Sequence, residues 1–445
     1  MKGKNSQQEF EGNGINMKKT NVLVFPGGTV GALEVYGSLC SDKRVEVYGA
    51  SSAADRGQAV FPKEKYIVGD YHISSPGFND AFGELLAKYA IDLVIPTHDS
   101  VVLYLSQRKA LFNAKILCAE ASAAAVCREK RKQYDVFSDC PFCPAVFKRT
   151  ESNLSYPVFI KPNISEGGRG VGIAHNETEL KYALGAGNYD YLICEYLPDS
   201  EITVDCFTDR KGNLLFTGPR TRERVSDGIA FRSEGIPLTG EIQEIAVEIN
   251  KRLSMRYAWF FQLKQDQNGK YKLMEISARP SSTMALYRQL GVNFALLSVL
   301  DAMGHDLKIL CSELPIRLNR CYYNRYDIGL EYTDVYIDFD DTIIVDGRVN
   351  CLAMSFLYKA LNENKGLHLI TQHAFDIYAS MGKYRIDKNI FDSIIVLDEN
   401  DKKSGHIKGE KAIFIDDCFA NRDEVRQKLG IPVFDVDAIE VLMYS

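Results

Sequence analysis

The 445-residue chain is 46% hydrophobic and 25% charged, the balance of an ordinary globular protein of roughly two to four domains. Its net charge of −6 argues against nucleic-acid partners, and no apolar run approaches the ~18 residues a membrane span needs. Eleven scattered cysteines without a secretory leader read as reduced thiols of a cytoplasmic protein rather than a disulfide scaffold.

Residues 1–19 are polar, lack apolar periodicity and read as a disordered tail. From 20 to 126 strand and helix patterns alternate. Asn21–Phe25, Val45–Gly49 and Ile91–Pro96 are strands, and Asn79–Tyr89 is a helix, which predicts a parallel, doubly wound α/β domain. Gly27, Gly28 and Gly31 follow the first strand without the GxGxxG order, so they read as glycines that permit a close strand-to-helix passage. His98 and Asp99, at a strand end facing the expected cleft, read as structural or capping residues. Cys140 and Cys143 form a Cys-x-x-Cys in a proline-flanked loop with no second pair at zinc spacing, so no metal role is assigned.

Residues 127–325 form an antiparallel-rich α+β domain. A helix opens at Lys130, and strands run over Pro157–Pro162, Tyr191–Leu197 and Glu201–Phe207. A hairpin joins Trp259–Gln265 to Lys270–Ile276 through Asn268-Gly269. Lys161 ends a strand and can reach into a cleft. Gly167, Gly168, Gly170 and Gly172 make a loop whose amides can lie against phosphates, or a plain hairpin tip. Alternation puts Glu275, Ser277 and Arg279 on one face, with Gln262 on the partner strand placed to share a metal with Glu275. Arg220, Arg222, Arg224 and Arg232 crowd what reads as a loop, either an anionic-substrate pocket or a solvated basic stretch.

From Asn21 to Arg325 this pattern resembles the ATP-grasp superfamily, in its carbamoyl-phosphate-synthase-like and biotin-carboxylase-like branch. The resemblance implies ATP and Mg²⁺ (Mn²⁺ as a substitute) as cofactors. It implies Lys130 and Lys161 as ATP lysines, Gly167, Gly168 and Gly170 as the phosphate loop, and Glu195, Tyr196 and Leu197 as the adenine hinge. Glu201 falls at the ribose acid, Gln262, Glu275 and Ser277 at the metal ligands, and Arg279 at the γ-phosphate. Family members usually carry Asn where this chain has Ser277, a weaker ligand. The implied reaction activates a carboxylate as an acyl phosphate for attack by an amine.

Ser312–Glu331 reads as a linker, and residues 332–445 again alternate strand and helix: Val335–Asp338, Leu352–Leu361, Leu367–Thr371, Ile394–Leu397 and Ala412–Ile415. Three strand ends carry complementary groups. One of Asp338 and Asp340 can act as nucleophile and the other as acid/base, Thr371 offers a hydroxyl for phosphate, and Asp416 and Asp417 offer acids for a metal, with Thr342 able to bond the turn. This resembles the haloacid-dehalogenase (HAD) superfamily, which implies Asp338 as the nucleophile, Asp340 as the acid/base, Thr371 as the phosphate-binding hydroxyl, Mg²⁺ on Asp338, Asp340, Asp416 and Asp417, and a charge-balancing lysine. Lys408 is favoured for it over Lys411. Asp341 stands where many members have glycine. Neither Thr342–Thr371 nor Thr371–Lys408 has room for a cap domain of ~50 residues, so the module is expected to be a capless Rossmannoid domain.

The expected whole is an α/β and α+β multidomain enzyme: pre-ATP-grasp domain, ATP-grasp ligase and HAD-like phosphatase. Its expected partners are a small-molecule carboxylate, an amine and a phosphorylated metabolite, with a homodimer left open. The competing readings are an ATP-grasp small-molecule kinase, and a non-catalytic C-terminal dimerisation or binding module.

Overall fold

The structure is a computed structural model that describes residues 18–149, 151, 154–185, 189–226, 228–326, 328–398 and 400–444. Residues 1–17 of the expected tail lie outside the described residues. The chain divides into two compact units, Met1–Tyr322 and Tyr323–Ser445. Among the described residues no helix is long and apolar enough to cross a membrane.

The first unit opens with five parallel strands in the order Tyr66–Val68, Val45–Ser51, Thr20–Phe25, Leu93–Pro96, Lys115–Ile116. Val22, Leu23, Val24 and Phe25 are all buried, so the central strand is covered on both faces, as its unbroken apolar run requires. Helix Val30–Leu39 follows, with Thr29 Oγ1 accepting from the Ala32 amide at 3.0 Å. The glycine turn between them makes room: a Cβ on Gly28 would lie 1.9 Å from the Asp55 carboxylate. The expected helix near Asn79 spans Phe78–Lys88.

Two antiparallel four-stranded sheets follow. One is ordered Val146–Phe147, Tyr191–Glu195, Val158–Pro162, Gly172–Ala174. The other is ordered Leu214–Thr221, Glu201–Thr208, Tyr257–Gln265, Tyr271–Ser277. Helix Gly240–Leu253 buries Ile242, Ile245, Ala246, Ile249 and Leu253, the i, i+3, i+4, i+7 stripe of an amphipathic helix. Trp259 is wholly buried and its Nε1 donates to Thr208 Oγ1 at 2.9 Å.

Two expectations change here. The arginine-rich segment is not a loop: it runs through Leu214–Thr221, Glu223–Ser226 and Ile229–Glu234. The expected linker contributes a strand, Arg317–Asn319, because its residues pair with Arg232–Glu234 and complete a three-stranded sheet.

The second unit is a five-stranded parallel sheet ordered Ser393–Val396, Gly366–Thr371, Asp334–Ile337, Ala412–Ile415, Val433–Phe434. A short hairpin, Ile344–Val345 with Arg348–Val349, and helix Cys351–Asn362 fill the interval after the central strand. Helix Ile377–Lys383 and a single 3₁₀ turn, Lys388–Ile390, fill the next. Val335, Ile337, Leu367, Leu369, Ile413 and Ile415 have no exposed surface and form the core beneath the strand ends.

Candidate active sites

In the first unit, strand Val158–Pro162 carries Lys161. The lysine is only 3% exposed. Its Nζ donates to the Tyr134 hydroxyl and to the Met274 carbonyl at 3.2 Å, and lies 4.8 Å from the Tyr134 ring centre. It therefore ends on protein partners rather than in open solvent. Burial pulls its pKa below the usual lysine range, and Lys130 acts in the same direction against Cys194, Glu275 and Glu201. Lys130 itself is buried at the start of helix Lys130–Val136, with its amide donating to the Asn163 carbonyl at 3.1 Å. Lys130, Lys161, Glu201 and Glu275 are thus close enough to share one electrostatic environment.

The glycine loop joins the paired strands Val158–Pro162 and Gly172–Ala174, so it is a hairpin connection. Gly167, Gly168 and Gly170 have φ of +65°, +71° and +75°, the left-handed region in which side chains are disfavoured. Glu166 ties this loop down: its carboxylate meets His98 Nε2 at 2.8 Å and Arg128 at 3.0 Å. The His98 contact is the main reason its pKa falls below the usual glutamate range. His98 precedes helix Asp99–Ser106 but makes no side-chain cap, which corrects the capping expectation: its ring is spent on Glu166.

Glu195 turns back on the chain, its Oε1 accepting from the Ala145 amide at 2.9 Å, while Tyr196 is half-buried and Leu197 buried. Glu201 pairs with Arg222 at 2.7 Å. Gln262 and Glu275 are direct cross-strand partners, which brings their side chains to about 5 Å at Cβ. Ser277 Oγ donates to Asp99 Oδ1 at 2.6 Å, and Arg279 Nε donates to Asp99 Oδ2 at 2.9 Å. Burial pushes the Asp99 carboxyl up, but Arg279 and Ser277 outweigh it and hold it below the usual range. Asp99 therefore stands within the group of Ser277 and Arg279 instead of capping at a distance. Arg220 is neither pocket nor solvated stretch. It is wholly buried and forks onto Asp205 at 2.6 and 3.2 Å, with Ser281 at 3.1 Å. Arg232 pairs with Glu223 at 3.2 Å. Cys140 and Cys143 are free thiols.

In the second unit the carboxyl ends of three adjacent strands converge. Asp338 and Asp416 are buried, and acid oxygens of Asp338, Asp416 and Asp417 lie within 4.8 Å of one another. Lys403, 3% exposed, sits among them, with Nζ 2.8 Å from Asp338 and 2.6 Å from Asp416. Burial pushes the Asp338 carboxyl up to about 6; Lys403 lowers it and Asp416 adds to the rise. Burial, then Asp416, also raises Asp417. Thr342 Oγ1 accepts from the Asp417 amide at 3.1 Å and closes the turn. Thr371 Oγ1 is buried with no hydrogen-bond partner. Asp340 is half-exposed, and His373 Nδ1 holds it at 2.7 Å while His373 Nε2 meets Ser380 at 2.7 Å. Asp341 adopts φ +52°, the backbone region where glycine is favoured.

The favoured lysine is corrected. Lys408 is exposed, and its backbone, not its ammonium, meets the Tyr336 hydroxyl. Lys411 is spent on Glu331 at 3.2 Å. Lys403 enters the acids from the short turn Lys403–Gly405. Sequence reading missed Lys403, His373 and the inward role of Asp99. Only His373, two residues beyond Thr371, carried a local signal.

Comparison with known proteins bears on the first unit. Residues 188–319 match the family model "ATP-grasp in the biosynthetic pathway with Ter operon", and residues 147–223 match the ATP-binding domain of the carbamoyl-phosphate synthase L chain. The first unit carries the ATP-grasp fold. The chain is 26% identical over 195 residues to the arginine-specific carbamoyl phosphate synthase large chain of Lactiplantibacillus plantarum, covering 40% of this chain and 19% of that protein. The Bacillus subtilis counterpart is 28% identical over 170 residues, 36% of this chain and 16% of that one. The chain thus spans a fifth or less of the length of these relatives. In structure it is similar to biotin carboxylase from Campylobacter jejuni, solved as a β-γ-ATP complex (TM-score 0.55, 17% identity, 66% of this chain and 73% of that one). It is also similar to N5-carboxyaminoimidazole synthetase from Staphylococcus aureus, solved with ADP (TM-score 0.54, 15% identity, 66% and 79%).

Proposed function

We propose that the chain is a bifunctional enzyme, an ATP- and Mg²⁺-dependent carboxylate–amine ligase joined to a HAD-like, capless phosphohydrolase. The observation that carries the ligase half is the pairing of Gln262 with Glu275, on the strand that ends in Ser277 and ahead of Arg279, with the buried Lys161 close enough to feel the Glu275 charge. Cationic groups and oxygen donors so arranged suit a nucleoside triphosphate with its magnesium ion. Lys161, Lys130 and the loop of Gly167, Gly168 and Gly170 would neutralise phosphate oxygens. Glu275 and Gln262 would hold the metal, with Ser277 a weaker third donor. Glu195, Tyr196, Leu197 and Glu201 would hold the nucleoside. A substrate carboxylate oxygen attacks the γ-phosphorus, the bond to the ADP oxygen breaks, and an amine then displaces phosphate from the acyl carbon. Arg279 takes up charge on the transferring group.

The phosphohydrolase half rests on the buried Lys403 held by Asp338 and Asp416, and on the buried, unpartnered Thr371 hydroxyl that ends the adjacent strand. The hard oxygen donors of Asp338, Asp416 and Asp417 fit Mg²⁺, which would screen the phosphate charge so that an anionic nucleophile can approach. Asp340 is not among the three acids whose oxygens converge, and His373 holds it at 2.7 Å, so it would serve as acid and base rather than as a metal ligand. Asp338 attacks phosphorus, the bond to the leaving alcohol breaks, and Asp340 gives that oxygen a proton. Water then attacks the aspartyl-phosphate, Asp340 takes its proton back, and phosphate leaves with Asp338 restored. Lys403 and Thr371 hold the phosphoryl oxygens.

A metabolite screen for ADP release, with products identified by mass spectrometry, tests the ligase half. ADP release without a new C–N product would favour the kinase reading. Mg²⁺-dependent release of phosphate from a phosphometabolite panel, lost in Asp338→Asn, tests the other half. A panel with no turnover leaves only a non-catalytic module.

A further inference from the structure

Two large aromatic side chains stand in solvent beside the acid cluster of the second unit. Phe375 is 78% exposed and Phe419 is 72% exposed. Burying such side chains is favourable, so two left exposed at the carboxyl edge of a parallel sheet, where ligands of such sheets bind, ask for an explanation.

They follow the two strands that flank Asp334–Ile337. Phe375 lies four residues beyond Thr371, which ends the strand on one side of Asp334–Ile337. Its ring centre is 5.9 Å from that of His373, whose Nδ1 holds Asp340. Phe419 opens helix Phe419–Leu429, two residues beyond Asp417, after the strand on the other side. Its ring has Arg422 at 6.0 Å. The two flanking strands are two sheet spacings apart, about 9.6 Å. The interval after the central strand holds a hairpin and one helix, and the next one helix and a 3₁₀ turn, so within the unit neither brings a domain over these rings.

We infer that Phe375 and Phe419 flank the leaving-group side of the phosphate site, so that its substrate is a small phosphomonoester carrying a flat aromatic or heteroaromatic ring. This rests on the phosphohydrolase reading. Aromatic faces bind any flat ring of matching size by stacking and need no hydrogen-bond code. The chain's net charge of −6 disfavours a polyanionic polymer as the ring's carrier.

The test compares two probes whose phosphate leaves from the same kind of primary ribose 5-oxygen, adenosine 5′-monophosphate and ribose 5-phosphate, on the full chain with Mg²⁺. Acetyl phosphate, which has no ring, reports whether the site hydrolyses phosphate at all. The expected kcat/KM favours the ring-bearing probe by about 5- to 150-fold, the range one stacked base supplies. In Phe375→Leu/Phe419→Leu, which keeps apolar bulk but removes both rings, the preference should collapse toward unity while ribose 5-phosphate turnover holds. Both side chains are exposed, so the variant keeps its core. A wild-type ratio near one, or a preference retained in the double variant, overturns the inference while acetyl phosphate hydrolysis keeps the phosphohydrolase reading. Failure to hydrolyse acetyl phosphate and both probes overturns both.

Discussion

Lys403 and Asp338, 65 positions apart, meet at 2.8 Å in a site where the lysine is 3% exposed, and the same ammonium reaches Asp416 at 2.6 Å. Two buried carboxylates so close repel each other, and the lysine between them is what makes their joint burial tolerable. Lys403→Ala should therefore cost about 3–5 kcal/mol in the second unit, read by thermal or urea unfolding. It should also lower phosphate-release kcat at least ~100-fold, the cost of removing one preorganised charge partner. Lys408→Ala should leave both near wild type, because that ammonium stands in solvent. Equal losses in the two variants would return the role to Lys408.

Proton and metal compete at Asp338, whose carboxyl is pushed up to about 6, mainly by burial. The folded, metal-free unit keeps this proton at pH values where the unfolded chain, near 3.9, has lost it. The resulting stability is fully present below about pH 4 and is lost as pH rises through about 6. Mg²⁺ needs the deprotonated acid, so its affinity should climb about tenfold per pH unit up to that point and then level. Melting curves with and without MgCl₂ at about pH 5, 6 and 7.5 read this directly. A magnesium-induced shift that is the same at all three would contradict it.

Arg220 and Asp205 form a wholly buried, forked pair in the first unit. Arg220→Ala strands the Asp205 charge and should cost about 3–5 kcal/mol. Arg232→Ala removes a partly exposed pair with Glu223 and should cost under about 1 kcal/mol, by denaturant titration.

The strands and acids of the second unit were legible because each is a short apolar run ending in a chemically distinctive residue. Asp338, Thr371 and Asp416 sit one position past, or at the end of, such runs, and a parallel sheet brings strand ends together whatever the loops do. Lys403 was hidden for the opposite reason. It lies in a loop, and nothing local tells a lysine that folds into a core from Lys408 or Lys411 in solvent. In the first unit, Glu275 and Ser277 share a face by alternation, but their neighbour Asp99 is 178 residues from Ser277, a contact set by packing alone. The arginine stretch misled because Arg220 and Arg232 are alike in sequence and differ only in depth.

Thiol accessibility follows the same logic of depth. Cys40, Cys311, Cys321, Cys351 and Cys418 are exposed, whereas Cys118, Cys194 and Cys206 are buried. Burial pushes the Cys118 thiol up to about 12 and raises Cys194 and Cys206 as well. Maleimide labelling of the native chain, mapped by mass spectrometry, should modify the five exposed sites and spare the three buried ones until denaturant is added. Labelling of Cys118 before unfolding would contradict the packing of the first domain.

The first unit is proposed to hold ATP and magnesium between Lys161 and Glu275. Equilibrium titration of ATP into wild type, Lys161→Ala and Glu275→Ala, each with and without Mg²⁺, tests it most directly. Wild type should bind ATP more tightly with Mg²⁺. Lys161→Ala should weaken binding by about 10- to 100-fold, the worth of a charged hydrogen bond, and Glu275→Ala should lose the Mg²⁺ dependence. Equal affinity in all three proteins, or no ATP binding by wild type, would contradict the account.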